Sequence, residues 1–415
     1  MKRRDFLKLA GAASLAAGTA RAASGRVVVI GGGYGGATAA RYLRLWDPSI
    51  EVVLVEREEA FVSCPVSNLV LGGFRALGEL TLNYDGLRRR GVQVVRDEAV
   101  AIDAQKRAVR LGRGAELRYD RLIVSPGVDF LLDELPRYRE AMDAGRILHA
   151  WKAGPQTTAL RRQIEGMRDG GVFAISIPLT PYRCPPGPYE RACVVAAYFR
   201  QAKPRAKILV LDANPDVASK PALFKRAWAD LYQDVIEYRP NSAATDVDPD
   251  TMTVKLEVED VRADLLNVLP PQRAGDIARA AGLITHNNRW CDVDWRTMES
   301  TAVPHVHVLG DATLSAPALP KSGSMAANQA KMCAAAVIEL LNGRAPDPDP
   351  QLANTCYSYV SRTEAIHVAS VHRWNEKEKT LTIVPGSGGV SAARSEAEGR
   401  YAWSWARNIW ADMLS

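Results

Sequence analysis

The chain has 415 residues, of which 47% are hydrophobic and 24% charged. This length allows two or three domains with substantial cores, and the composition is that of an ordinary globular protein. The formal net charge is +6, but it falls to +2 without residues 1–22, so the charge gives no indication of nucleic-acid binding. Beyond residue 22 no apolar run reaches about 18 residues, so the sequence predicts no transmembrane segment.

The first 22 residues have the order of an export signal. Residues 3–8 read RRDFLK, a weakly apolar stretch rich in Ala and Gly follows, and residues 20–22 form a small-x-small site. This order resembles a bacterial twin-arginine signal, which implies removal of residues 1–22 and a periplasmic location. The alternative is a basic amphipathic helix at the terminus. All six cysteines lie beyond the signal and would face an oxidising compartment, and six cysteines allow 15 full pairings.

A glycine-rich nucleotide motif follows. Residues 26–36 read RVVVIGGGYGG, in which Gly31, Gly33 and Gly36 satisfy G-x-G-x-x-G between a predicted strand and a predicted helix. Such glycines allow the tight turn, the approach of a pyrophosphate and close packing of helix on strand. Glu56 ends the next predicted strand and is expected to accept hydrogen bonds from a ribose. The alternative is a glycine-rich structural turn.

Two later segments decide which dinucleotide is expected. Residues 121–129 read RLIVSPGVD, and a predicted strand at 303–309 runs into Gly310 and Asp311. This order resembles the flavoproteins with two dinucleotide-binding domains, which implies FAD rather than NAD, with Asp311 bonded to the ribityl chain. A long Ala-rich helix is predicted to begin near Ser322, and its N-terminus and Lys321 would stabilise negative charge on the flavin. A solvated Lys321 is the alternative.

The middle of the chain lacks a second nucleotide motif. Residues 172–177 form a predicted buried strand, and a helix is predicted after the following loop. A second G-x-G-x-x-G is expected between them, but the loop instead carries Cys184 and three prolines at 185, 186 and 188. Proline has no backbone N–H to donate to an anion. The sequence therefore argues against nicotinamide binding.

Cys64 lies eight residues after Glu56 and has no partner cysteine with four residues between them, since position 69 is Leu69. The paired-cysteine arrangement of glutathione-reductase-type enzymes is thus excluded. The segment resembles the flavoprotein subunit of flavocytochrome c sulfide dehydrogenase. That resemblance implies a covalent bond from Cys64 to the 8α-methyl group of FAD. The alternative is a small buried thiol.

The same resemblance covers essentially the whole chain beyond residue 22. Its most specific segments are CPPGPYERA at 184–192 and CYSYV at 356–360. It implies a redox-active disulfide between Cys184 and Cys356, with Glu190 as the acid/base group. The alternatives are a purely structural disulfide and an ordinary acidic residue in the first turn of a helix.

The predicted fold class is α/β. An FAD-binding Rossmann-like domain occupies residues 23–137 and 275–345, and a second Rossmann-like domain without a nucleotide fingerprint is inserted at 138–274. Residues 346–415 would form a C-terminal α+β interface domain. The six histidines show no metal-ligand spacing, so no metal is predicted.

Electrons need an acceptor outside this chain, because no C-x-x-C-H haem-attachment motif occurs in it. The resemblance implies a separate c-type cytochrome subunit in a heterodimer. Aromatic residues suited to an interface or a core concentrate near the end of the sequence, at Tyr401, Trp403, Trp405 and Trp410.

These observations favour a periplasmic FAD-dependent sulfide dehydrogenase. Sulfide would attack the disulfide, Glu190 would take the proton, and electrons would pass through FAD to cytochrome c. We expect Cys356 to be the flavin-facing sulfur and Cys184 the persulfide carrier, and the sequence leaves the reverse order open. The alternatives are a sulfide:quinone oxidoreductase and a non-catalytic flavoprotein scaffold for a sulfur-carrying partner.

Overall fold

A computed structural model of the chain describes residues 25–316 and 319–415. The predicted export signal, residues 1–22, lies outside the described residues. No helix in the described ranges is both long enough and apolar enough to cross a membrane.

The elements follow one another in four groups along the chain. The first group is β1 (Arg26–Ile30), α1 (Tyr34–Trp46), β2 (Glu51–Glu56), β3 (Phe61–Val62), α2 (Asn68–Leu71), β4 (Thr81–Leu82), α3 (Asp85–Arg89), β5 (Gln93–Arg96), β6 (Ala99–Asp103), β7 (Ala108–Leu111), β8 (Glu116–Arg118), β9 (Arg121–Val124) and β10 (Val128–Phe130). The second is α4 (Tyr138–Asp143), α5 (Pro155–Gly166), β11 (Val172–Ile177), α6 (Gly187–Ala202), β12 (Lys207–Asp212), α7 (Pro221–Leu231), β13 (Ile236–Arg239), β14 (Ala244–Asp248), β15 (Thr253–Leu256), β16 (Asp260–Arg262) and β17 (Leu265–Val268). The third is β18 (Gln272–Ala274), α8 (Asp276–Ala280), β19 (Val306–Val308) and α9 (Gly323–Leu341). The fourth is β20 (Gln351–Tyr359), β21 (Ala365–Asn375), β22 (Thr380–Ile383), β23 (Gly389–Val390) and α10 (Glu396–Leu414).

The first parallel sheet combines early and late parts of the chain. Its order is β19-β9-β1-β2-β5, and each neighbouring pair is parallel. The apolar positions of β1, β2 and β9 are buried, which is why these strands read as nearly unbroken apolar runs. The pairing of β19 with β9 brings Gly310 and Asp311 to the carboxyl edge of this sheet. The strand β19 is shorter than the predicted strand at 303–309.

The second parallel sheet lies wholly in the middle of the chain. Its order is β13-β12-β11-β17, again parallel throughout. The antiparallel strands β14-β15-β16 form a separate three-stranded sheet. Strands β10 and β18 pair with each other just before and just after this middle segment. The α/β fold with two Rossmann-like sheets is therefore confirmed, whereas the predicted domain limits stay predictions.

The C-terminal part is an antiparallel sheet covered by one helix. Strand β21 pairs with β20, β22 and β23, and α10 packs against β20, β21 and the early helix α1. Trp410 on α10 is buried and donates from Nε1 to the hydroxyl of Tyr34, at 3.0 Å. By contrast, Tyr401 on the same helix is 59% exposed. The C-terminal aromatic residues thus divide between the core and the surface.

Candidate functional site

The glycine turn leaves room beside the first strand of the first sheet. A Cβ on Gly31 would lie 2.3 Å from the carbonyl oxygen of Ser125, and one on Gly36 would lie 1.8 Å from the carbonyl oxygen of Gly31. Both positions therefore require glycine. A Cβ on Gly33, which caps the N-terminus of α1, would meet no atom within 4 Å. This open space before the helix N-terminus fits the pyrophosphate of a dinucleotide.

Glu56 lies beside this turn at the end of β2. Its Oε2 accepts a hydrogen bond from the backbone N–H of Gly32, at 2.6 Å, and its Oε1 accepts one from that of Glu58, at 2.9 Å. These two bonds hold the carboxylate at the edge of the sheet where ribose binds in Rossmann folds. The ribose contact itself stays a prediction.

Asp311 offers a second group to a dinucleotide. The preceding residue, Gly310, has φ of +72° and donates from its N–H to Oε1 of Gln329, at 2.8 Å. Oδ1 of Asp311 is buried without a hydrogen-bond partner, and burial raises the pKa of this carboxyl although Arg183 and Lys321 oppose the rise. A buried oxygen of this kind needs a donor. A ribityl hydroxyl supplies one, so the chain fits FAD at this point.

Lys321 is buried rather than solvated. Its Nζ donates to the carbonyl oxygens of Asp311, at 3.1 Å, and Thr313, and lies 3.7 Å from the ring centroid of Trp290. Burial lowers its pKa to about 7. The next residue, Ser322, caps α9 by accepting from the N–H of Met325, at 3.1 Å. The solvated alternative for Lys321 is therefore wrong, and α9 begins where the sequence predicts it.

Cys64 is half-buried in the turn after β3. Its Sγ accepts a hydrogen bond from the backbone N–H of Ala153, at 3.4 Å, and the Arg183 side chain bonds to it as well. The same guanidinium acts on the charges of Asp311 and Cys184. The thiol is thus neither fully buried nor remote from the predicted flavin site. A covalent bond to flavin stays a prediction.

Cys184 is fixed by two backbone hydrogen bonds. Its N–H donates to the carbonyl oxygen of Lys321, at 2.9 Å, and its own carbonyl accepts from Gly187, at 2.8 Å. Position 187 must be glycine, because a Cβ there would lie 2.6 Å from the Trp151 ring and 3.0 Å from Sγ of Cys184. The proline-rich loop therefore places Cys184 against the segment that carries Lys321.

Cys356 lies on β20, and the fold brings it close to Cys184. All six cysteines are free thiols in the structure. The charge of Cys356 and that of Glu190 add to burial in raising the pKa of Cys184 well above its usual value. Burial also raises the pKa of Cys356, although Lys220 opposes this rise. The two thiols share one site, and the disulfide between them stays a prediction.

Glu190 is buried and bonded to two other elements. Its Oε1 accepts from the backbone N–H of Tyr359, at 2.8 Å, and its Oε2 accepts from Nδ2 of Asn68, at 2.8 Å. Burial raises its pKa above the usual value, and the hydrogen bonds to Tyr359 and Asn68 reduce the rise. These bonds run from α6 to β20 and α2, so they tie the carboxylate to the site rather than to its own helix.

Two cationic side chains of this site, Arg183 and Lys220, are not predicted from the sequence. Arg183 lies between the predicted flavin site and Cys184, and its Nε has no hydrogen-bond partner. Lys220 precedes α7 and is only 6% exposed. An isolated lysine before a proline-started helix normally lies in solvent, so only its hydrogen bond to Ser358 on β20 reveals it.

In the second Rossmann-like sheet, protein groups fill the position where the ribose of a nucleotide would bind. Asp212 ends β12, where the acidic residue of a nucleotide site would lie. Its Oδ2 accepts hydrogen bonds from the hydroxyls of Tyr189, at 2.7 Å, and Tyr238, at 3.0 Å, and its Oδ1 accepts from Asn214. Protein groups thus occupy the oxygens that a nucleotide would use. Elsewhere in the described ranges, no group of three His, Cys, Asp or Glu side chains is arranged to hold a metal ion.

The chain is similar to several known proteins. Three family profiles match the chain: pyridine nucleotide-disulphide oxidoreductase at 25–155, the central part of the sulfide dehydrogenase (flavocytochrome c) flavoprotein chain at 157–270, and flavocytochrome c sulphide dehydrogenase, flavin-binding, at 348–414. The sulfide dehydrogenase flavoprotein chain of Chlorobaculum thiosulfatiphilum is 67% identical over 45 residues, which are 11% of this chain and 94% of that sequence.

Other similar proteins are named sulfide:quinone oxidoreductases. Mitochondrial sulfide:quinone oxidoreductase of Mus musculus is 25% identical over 310 residues, which are 69% of this chain and 65% of the mouse protein. The sulfide:quinone oxidoreductase structure from Aquifex aeolicus superposes with a TM-score of 0.77 at 17% identity, covering 94% of this chain and 91% of that one.

The fold and the site together define a flavoprotein with two Rossmann-like sheets, of which the first is built for FAD. Within that class, the chain belongs to the family of flavocytochrome c sulfide dehydrogenase flavoprotein chains. The predicted family is confirmed.

Proposed function

We propose that this protein oxidises sulfide in the periplasm and passes the electrons to a c-type cytochrome subunit. The observation that carries the proposal is the meeting of Cys184, Cys356 and Glu190, which come from the loop before α6, from β20 and from α6 itself. The backbone bond from Cys184 to Lys321 joins this group to the predicted flavin site.

The two cysteines supply the group that reacts with sulfide. In the oxidised enzyme they form a disulfide, which is an electrophile that hydrosulfide attacks at one sulfur while the other leaves as a thiolate. The product is a persulfide on the attacked cysteine. Further sulfide releases the bound sulfur as a zero-valent product such as polysulfide.

Glu190 is suited to handle the proton of this reaction. Its raised pKa brings a buried carboxyl nearer to neutral pH, where a general base works best. In the ionised form it accepts the proton of the incoming sulfur. The hydrogen bonds from Tyr359 and Asn68 hold it in place during that transfer.

FAD would be held by the Gly31, Gly33 and Gly36 turn and by Glu56 and Asp311, with Cys64 as its covalent attachment. When bound, it supplies the chemistry of accepting two electrons together and releasing them one at a time. The buried Lys321 and the N-terminus of α9 place positive potential beside that site.

A groove between α9 and α10 is our candidate for the cytochrome contact. It is lined on α10 by Tyr401, Trp405 and Ile409 and on β20 by Tyr357. Tyr401 is exposed and Trp405 and Tyr357 are partly buried, and aromatic side chains are enriched at protein interfaces. An export signal in residues 1–22 would bring the folded flavoprotein to the compartment where c-type cytochromes work.

The second candidate function is sulfide:quinone oxidoreduction, favoured by the similarity to the mouse protein. An anaerobic titration tests both functions together. Sulfide should bleach the flavin absorbance with one equivalent per flavin, and oxidised cytochrome c should then restore it. If sulfide leaves the flavin oxidised, sulfide oxidation is wrong and the scaffold alternative gains support. If a soluble quinone restores the absorbance and cytochrome c does not, the quinone alternative replaces our proposal.

A further inference from the structure

Lys220 is a buried cation beside the two cysteines. Its Nζ donates a hydrogen bond to Oγ of Ser358, at 3.0 Å, and lies 5.8 Å from the ring centroid of Phe224. Ser358 follows Cys356 by two positions on β20, and residues two apart on a strand share one face. The ammonium is therefore held on the face of β20 that carries the sulfur of Cys356.

The charge of Lys220 has no carboxylate bonded to it. Among the described residues, no ion pair within 4.0 Å joins this ammonium to an acidic side chain. Its backbone has φ of +56°, a left-handed conformation that a non-glycine residue rarely adopts. A buried cation without an ionic partner is costly unless a negative charge is formed nearby. The charged or ionisable groups that face it across the site are Cys356, Cys184 and Glu190.

We infer that Lys220 is a positioning residue that sets the direction of sulfide attack by holding the negative charge released on Cys356. This inference rests on the proposed function. It assigns Cys184 as the persulfide carrier and Cys356 as the leaving sulfur, an order that the sequence leaves open.

The step balances without any further reactant. Hydrosulfide forms a new S–S bond to Sγ of Cys184, and the bond between Cys184 and Cys356 breaks. The electron pair of the broken bond stays on Sγ of Cys356, which becomes a thiolate facing Lys220. The hydrosulfide proton passes to Glu190. A lower pKa makes a thiol a better leaving group, so the cation beside Cys356 favours this direction over the reverse.

Arg183 is the competing cation, and its surroundings set it apart from Lys220. It bonds to Cys64 and interacts with Asp311 as well as Cys184, so its charge is shared with the predicted flavin site. Cys356 has Lys220 as its foremost stabilising charge. Cys184 receives both cations and still has its pKa raised well above the usual value. The hydrogen bond to Ser358 holds the ammonium of Lys220 on the strand that carries Cys356, which makes Cys356 the better site for the negative charge.

The test measures the pH dependence of Cys356 alkylation by iodoacetamide in the dithiothreitol-reduced holoprotein, with each peptide quantified by mass spectrometry. Lys220→Met should raise the midpoint by on the order of one unit, so that alkylation below the midpoint slows about tenfold. In Lys220→Arg the midpoint should stay near that of the unaltered protein, because the positive charge is kept. The control is Lys225→Met, because Lys225 lies on the helix α7 that follows Lys220, is half exposed and is paired with Asp216.

An unchanged Cys356 midpoint in Lys220→Met overturns the inference. If that variant does not fold, Ser358→Ala supplies the test, because losing the bond to Nζ should still raise the midpoint measurably; an unchanged value there overturns it equally. A second measurement locates the persulfide after one equivalent of sulfide. The unaltered protein should carry it on Cys184, and a persulfide on Cys356 overturns the assigned direction. Absence of persulfide on both cysteines refutes the proposed function, whereas the alkylation profile still decides whether Lys220 stabilises the thiolate of Cys356.

Discussion

Cys64 lies where Ala153 and Arg183 both contact its sulfur, beside the space predicted for the flavin. If it carries FAD, acid precipitation should leave the yellow colour in the protein pellet, because a thioether survives unfolding. Cys64→Ser should release the flavin to the supernatant. The control is Cys333→Ala, which removes a fully buried thiol from the Ala-rich helix α9. Free FAD in the supernatant of the unaltered protein would contradict the thioether.

Glu190 gives a prediction for pH dependence. Burial raises its pKa, and the ionised carboxylate is the form that accepts a proton. The rate of flavin bleaching by sulfide should therefore increase as pH rises through this raised pKa. Glu190→Gln should abolish this increase of the rate with pH and slow the reaction about 10²-fold or more. The ionisation of sulfide itself affects both proteins equally, so it cancels in the comparison.

The matched control for this experiment is Glu237→Gln, since Glu237 is exposed on β13 and paired with Arg239. Its pH profile should equal that of the unaltered protein. If the rate increases with pH in Glu190→Gln as it does in the unaltered protein, Glu190 does not accept the proton.

At the scale of elements, two glycines in the turn between β1 and α1 have different roles, one in stability and one in cofactor binding. Ala at Gly36 would overlap the carbonyl oxygen of Gly31, whereas Ala at Gly33 would meet no protein atom within 4 Å. Gly36→Ala should therefore destabilise the cofactor-free protein by about 1–3 kcal/mol. Gly33→Ala should leave its thermal midpoint nearly unchanged but weaken FAD binding, because the added methyl group lies where the pyrophosphate approaches. Normal FAD affinity in Gly33→Ala would argue against a pyrophosphate at this turn.

The predicted elements agree with the structure where the pattern is local. The apolar run at 172–177 is strand β11 as predicted, because consecutive apolar residues suit a strand buried on both faces. The predicted strand at 303–309 is reduced to β19 at Val306–Val308. Pro304 has no N–H to pair, and His305 has φ of +65°, so the ladder begins only after them.

At the scale of the whole molecule, the groove between α9 and α10 predicts where electrons leave. Tyr401→Ala should raise the KM for cytochrome c about tenfold while flavin bleaching by sulfide stays unchanged, since interface tyrosines often dominate binding. The control is Val258→Ala, because Val258 is 93% exposed and lies in the turn between β15 and β16. An unaltered KM in Tyr401→Ala would place the cytochrome on another surface.

The second Rossmann-like sheet predicts a reaction that should not occur, the reduction of the flavin by NADH. Tyr189 and Tyr238 occupy the carboxylate of Asp212, so NADH should leave the flavin oxidised under anaerobic conditions. Tyr189→Phe frees one acceptor site on Asp212 but restores no glycine turn, and it should remain unreactive. Rapid bleaching by NADH would mean that a nucleotide binds this domain in another way.

The sequence by itself determined the class of fold, the dinucleotide turn and, through resemblance, the residues Cys184, Glu190 and Cys356. These are local features, because turn geometry and strand burial depend on consecutive residues. Only the tertiary structure decided that Lys321 is buried, that Asp212 is satisfied by two tyrosines, and that Lys220 lies beside Cys356. The physical reason is that burial and charge pairing depend on neighbours far away in the chain. Lys220 and Ser358 are 138 positions apart, and only the tertiary fold brings them within hydrogen-bond distance.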